Sequence, residues 1–190
     1  MTLIKNILKH KSPSQTVFSL SELESLSPNY AGVKLNSAIK YLVKRGELIR
    51  ISKGLYAINN NYSRIEFANK YRVPSYISFY TVLADKGAVF QPYTSIFIAS
   101  QRSEEKVIDG QIYIYRKIKD EILLNPEGID IEGQRSTGSL ERAICDKLYL
   151  DGIEYFDNTR SVNFEKIRVL NTEVYKNNQT ISTWISQNTK

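Results

Sequence analysis

Between residues 21 and 58, two helical patterns and a hairpin follow one another with almost no connecting chain, and this succession restricts the fold more than any other feature. Ser21 stands as an N-cap, with Glu22 and Glu24 in the favoured first turn and Leu23 and Leu26 pointing inward. Pro28 stops that element. A second helix begins near Asn29–Ala31 and runs to about Arg45, closed by Gly46 at the position after its C-cap. Its apolar residues Ala31, Leu35, Ala38, Ile39 and Leu42 recur at intervals of three and four and form one buried stripe. Two short runs of alternating character then follow, ELIRIS and GLYAI, joined at Ser52-Lys53-Gly54. A glycine where positive φ is needed and a lysine at the tip make these a β-hairpin. Two helices joined by a tight polar turn, then a hairpin, are the parts of a winged helix-turn-helix.

The chemistry of the second helix and the hairpin points to a polyanion. The face opposite the buried stripe shows Tyr30, Lys34, Ser37, Tyr41 and Lys44, with Asn29 at its start and Lys40 at its flank; Arg50 and Lys53 face outward from the hairpin. A helix fits the major groove of DNA, where Asn, Ser, Lys and Arg reach base edges. Cations at the helix end and hairpin would neutralise phosphates and release counterions, so Lys40, Lys44, Arg45, Arg50 and Lys53 are the expected phosphate contacts. Residues 1–60 hold nine Lys and Arg against three Glu, the whole net charge of +6, whereas residues 61–190 hold 17 basic and 17 acidic residues. Such segregation argues for a directed binding surface.

The expected organisation is therefore α+β: a DNA-binding domain over 1–60, then a mixed α+β domain over 61–190 with a small sheet flanked by helices. In the second domain, RIEFANKYR (capped by Ser63) and FYTVLADKG (closed by Gly87) read as helices. TSIFIAS, QIYIYRKI and IDIEGQR read as β-rich stretches. SLERAICDKLYLDG reads as a helix from Ser139 to Gly152, and the tail from about Asn163 to Ile185 as one or two more, with Trp184 docked.

Several chemistries are excluded by scarcity. One His (His10) and one Cys (Cys145) cannot build a zinc cluster or a persuasive nucleophile–histidine site, and the nine glycines stand singly, without a phosphate-cradling loop. No cofactor, metal or catalytic residue is expected. No apolar run approaches the ~20 residues of a membrane span. The first fifteen residues lack a secretory pattern, and residues 2–10 read as a short amphipathic packing helix. A lone cysteine fits a reducing cytoplasm. Asp130 and Glu132 share a strand face, yet the Glu-x-Lys of metal-dependent nucleases does not follow them. A DNA-targeted nuclease and a ligand-responsive regulator stay as the alternative classes.

The order of motifs resembles a known family. KRGELIRISKGLYAI, then VPSYISFYTVLADKGAV, then sheet segments and SLERAICDKLYL are similar to the AbiEi-type antitoxins, transcriptional regulators of type IV toxin–antitoxin systems used in abortive phage defence. The resemblance weakens after about residue 155. It implies a cytoplasmic autorepressor that binds inverted repeats in its own promoter and a C-terminal domain that counteracts a nucleotidyltransferase-type toxin, with or without stable contact. Lys86-Gly87 stands where the family often carries a histidine before the glycine. Glu141 and Asp146 match the family helix and are expected to orient it or to line an interface.

Overall fold

Leu3 and Ile7 lie one helical turn apart in the opening segment, and both are buried. They sit on α1 (Leu3–His10), the first element of a mixed α+β chain whose computed structural model describes residues 2–189. The chain divides into two compact units, Met1–Tyr71 and Arg72–Lys190.

In the first unit α1 is followed by β1 (Val17–Ser19), α2 (Leu20–Leu26), α3 (Gly32–Lys44), β2 (Ile49–Ser52), β3 (Leu55–Ala57) and α4 (Arg64–Tyr71). The three strands form an antiparallel sheet of order β1-β3-β2. Leu3, Ile7, Phe18, Leu23, Leu35, Ile39, Leu42, Leu48 and Tyr56 make one buried core. The cap of α2 is Ser19 rather than the expected Ser21: the Ser19 hydroxyl accepts from the Glu22 amide at 3.2 Å while the Glu22 carboxylate accepts from the Ser19 amide at 2.7 Å. That reciprocal pair holds because β1 runs straight into the helix.

The boundary falls after Tyr71, not at residue 60, because α4 belongs to the first unit and packs on β1 and β3. Its buried Glu66 accepts from the Thr16 amide (2.8 Å) and hydroxyl (2.6 Å). Lys70 donates to the Val17 carbonyl at 2.6 Å and pairs with Glu22 at 2.7 Å.

The second unit contains β4 (Ser75–Ile77), α5 (Phe79–Asp85), β5 (Ile96–Ser100), β6 (Glu104–Ile108), β7 (Gln111–Lys117), α6 (Asp120–Leu123), β8 (Ile129–Glu132), β9 (Arg135–Gly138), α7 (Leu140–Asp151), α8 (Phe164–Glu173) and α9 (Gln179–Asn188). Its sheet is larger than expected, six strands in the order β6-β7-β5-β4-β9-β8, with β5–β7 and β4–β9 parallel and the remaining neighbours antiparallel. The stretch expected as one strand over 129–135 is the hairpin β8–β9, turned at Gly133. Ser139 caps α7 by accepting from the Arg142 amide, and Gly152 closes it. α7 packs against α5, α8, α9 and β9, so Leu140–Leu148 are buried on every side.

Candidate nucleic-acid interface

The exposed half of α3 is built by what the other half must bury. Leu35, Ile39 and Leu42 enter the core, and at 3.6 residues per turn that turns residues 33, 36, 37, 40, 41 and 44 outward. The helix is shorter than expected at its start. Ala31 is its exposed N-cap rather than a stripe residue, and Tyr30 precedes it, half-buried against the core, instead of standing on the free face. The Tyr30 ring carries the Lys34 ammonium 5.0 Å from its centroid. Asn29 is exposed in the turn between α2 and α3.

At the other end, Gly46 takes φ +71, and the amides of Glu47 and Leu48 donate back to the Leu42 carbonyl at 3.0 and 3.3 Å. This left-handed stop directs the chain at once into β2. Gly54, at φ +80, turns β2 into β3 and leaves Lys53 exposed at the tip.

Between α3 and the hairpin lies a groove of about 420 Å³ lined by Asn36, Ile39, Lys40, Val43, Lys44, Arg50 and Tyr56. Its floor is apolar and its rim is cationic. Among the described residues, Lys34, Lys40, Lys44, Arg50 and Lys53 have no carboxylate partner, and all five are exposed. Arg45 differs: it pairs with Glu47 at 2.7 Å and donates to the Tyr41 hydroxyl at 2.8 Å, an arrangement that raises its already high pKa, Tyr41 first and Glu47 second. Any phosphate contact by Arg45 must therefore compete with Glu47. The first unit carries eleven basic and four acidic residues; the second carries fifteen and sixteen. Arg64 and Lys70, gained with α4, are side chains engaged within the first unit.

Sequence reasoning brought Lys34, Ser37, Lys40, Tyr41, Lys44, Arg50 and Lys53 to one surface but passed over Val33 and Asn36. A helical wheel started at Gly32 would have found both, since Val33 lies in the row Val33–Ser37–Lys40–Lys44 along the centre of the free face.

The second unit has a buried polar cluster around Asp146. Asp146 is fully buried and accepts from the Ser78 hydroxyl at 2.6 Å, the Tyr175 hydroxyl at 2.6 Å and the Tyr76 hydroxyl at 3.0 Å. Arg142, one turn earlier on α7, stands 3.7 Å away and donates to the carbonyls of Ile122 at 2.6 Å and Glu127 at 2.5 Å. Burial pushes the Asp146 carboxyl above its ordinary range, against the pull of Arg142 and the three hydroxyls. Glu141, also buried, accepts from the Asn163 amide at 3.1 Å and so holds the start of α8. Cys145 is a core residue whose thiol burial pushes well up.

Near the end of α7 a second, half-exposed network joins Asp151 to Arg116 by two bonds of 2.6 Å and to Lys147 at 2.8 Å. Asp130 and Glu132 are exposed on the edge strand β8, with Glu132 opposite Arg135. Among the described residues no group of three or more His, Cys, Asp and Glu side chains could hold a metal ion, and no helix is long and apolar enough to cross a membrane. His10 is exposed in the last turn of α1.

No family model matches the chain, and no curated protein matches it in sequence.

Proposed function

We propose that the chain is a DNA-binding transcriptional autorepressor whose first unit is a winged helix-turn-helix, with α3 as recognition helix and the β2–β3 hairpin as wing. The observation that carries this reading is the groove between them: three exposed cations without a carboxylate partner among the described residues, Lys40, Lys44 and Arg50, ring an apolar floor, and the polar and cationic face of α3 adjoins it. An uncompensated cluster of this kind repels itself in the free protein and is relieved by a phosphate backbone. Lys40, Lys44, Arg50 and Lys53 hold phosphates, Lys34 and Ser37 meet base edges, and Asn29, Tyr41 and Arg45 border the contact. Tyr30 acts from behind, as the ring on which Lys34 rests.

The second half of the proposal is that the second unit is a non-enzymatic antitoxin module of a type IV system. It rests on the order of the motifs VPSYISFYTVLADKGAV and SLERAICDKLYL. The two motifs meet in the core of that unit: Tyr76 and Ser78 of the first reach Asp146 of the second. A module of this kind would oppose a nucleotidyltransferase-type toxin.

Nuclease protection of the DNA upstream of the chain's own coding sequence tests the first half. Two protected inverted repeats are expected; absence of protection in 50 mM salt rejects it. The second half requires that the adjacent gene encode a nucleotidyltransferase-like toxin; co-expression with that product should restore growth, and absence of such a gene or continued arrest counts against it.

A further inference from the structure

Val33 is 83 % exposed, and no large apolar side chain among the described residues is more so. It lies at the start of α3, one turn before Ser37 and Asn36, in the middle of a face otherwise made of polar and charged groups and Tyr41. Nothing in the first unit explains the choice. Val33 makes no core contact, and at an exposed helical position a β-branched residue is a poorer helix former than Ala, Lys or Glu.

The position has a use once α3 lies in a major groove, because the first turns of a recognition helix are those that meet base edges. A valine offers no hydrogen bond. The major groove offers one apolar group, the C5 methyl of thymine. We infer that Val33 reads a thymine methyl and so selects an A·T pair within each half-site. The inference rests on the DNA-binding reading and adds the base class that α3 recognises. The cations around Val33 supply affinity without sequence; Val33 supplies discrimination that hydrogen-bonding neighbours do not duplicate.

The test separates failure of this inference from failure of the reading beneath it. The full chain is used to select duplexes from a random-sequence pool, and the tightest is remade with deoxyuridine in place of every thymine, which removes the methyls alone. Binding of wild type and Val33→Ala to both duplexes is measured by fluorescence anisotropy. Wild type should bind the uridine duplex about fourfold more weakly per contacted thymine, the worth of one buried methyl. Val33→Ala should show the same loss on the thymine duplex and no further loss on the uridine one. Equal binding of both duplexes by wild type overturns the inference, as does a variant that still senses the methyl. If the pool yields no duplex preferred over random DNA, the DNA-binding reading itself falls. The exposure of Val33 leaves the fold of the variant untouched, which circular dichroism verifies.

Discussion

Asp146→Asn is expected to destabilise the second unit severely while leaving its shape almost unchanged. The carboxylate accepts from three hydroxyls and faces Arg142, which is itself wholly buried. Asparagine keeps the volume but replaces one oxygen with an N–H₂ donor, so a hydroxyl of Tyr76, Ser78 or Tyr175 must reverse or go unsatisfied. The larger effect is the guanidinium. Its hydrogen bonds to the Ile122 and Glu127 carbonyls hold it in the core, so it cannot swing out to water when its counter-charge is removed. Breaking a buried pair from one side costs about 3–5 kcal/mol. The retained carbonyl bonds place this case at the lower end, about 3 kcal/mol. With a urea dependence of about 2 kcal/mol per molar, the midpoint should fall by roughly 1.5 M. Trp184, the chain's single tryptophan, is buried on α9 and reports on the second unit by fluorescence. A midpoint within about 0.3 M of wild type would mean a shift under 1 kcal/mol, and the cluster would not be holding β4, α7 and the turn after α8 together.

Two further outcomes follow from single residues. Arg116 first and Lys147 second hold the Asp151 carboxyl at about 2, below the ~3.9 of an unfolded chain. Its contribution to stability is therefore complete above about pH 4 and lost as pH falls through about 2. Asp151→Asn should lower the urea midpoint at pH 7 and flatten the acid limb between pH 4 and 2; an unchanged limb would remove Asp151 as its source. Lys53→Ala should weaken binding to all DNA sequences alike and reduce the log–log salt slope by about 0.9, the value of one phosphate contact. An unchanged slope would take the hairpin tip out of the interface.

The first unit was legible in the sequence because its punctuation is local. Pro28, Gly46 and Gly54 each fix a boundary by backbone constraint, and the Leu35–Ile39–Leu42 stripe needs no distant partner to be seen. The Ser19 cap was missed because Ser19 and Ser21 each stand three residues before a glutamate, Glu22 and Glu24, so the capping-box spacing does not choose between them. In the second unit, β6 escaped because three of its five residues are charged, as suits an edge strand that must resist pairing with another chain. β4 escaped because three residues carry no period, and it is held by pairing on both sides, with β5 and β9. The Asp146 cluster was invisible for a related reason: Tyr76, Ser78 and Tyr175 lie 29 to 70 residues from it, and only the fold brings their hydroxyls together. Val33 was legible in principle and was hidden by starting the helix two residues early.

Anisotropy of a labelled duplex from the chain's own upstream region, titrated with wild type and with a Lys40→Ala, Lys44→Ala, Arg50→Ala triple variant between 50 and 200 mM KCl, bears most directly on the role of the α3–hairpin groove. Removing three phosphate contacts should lower the salt slope by about 2.7 and weaken binding more than a hundredfold at the low-salt end. All three side chains are exposed, so circular dichroism should be unchanged. Binding by the triple variant within threefold of wild type, with the same slope, would place any DNA contact elsewhere and contradict the role assigned to the groove.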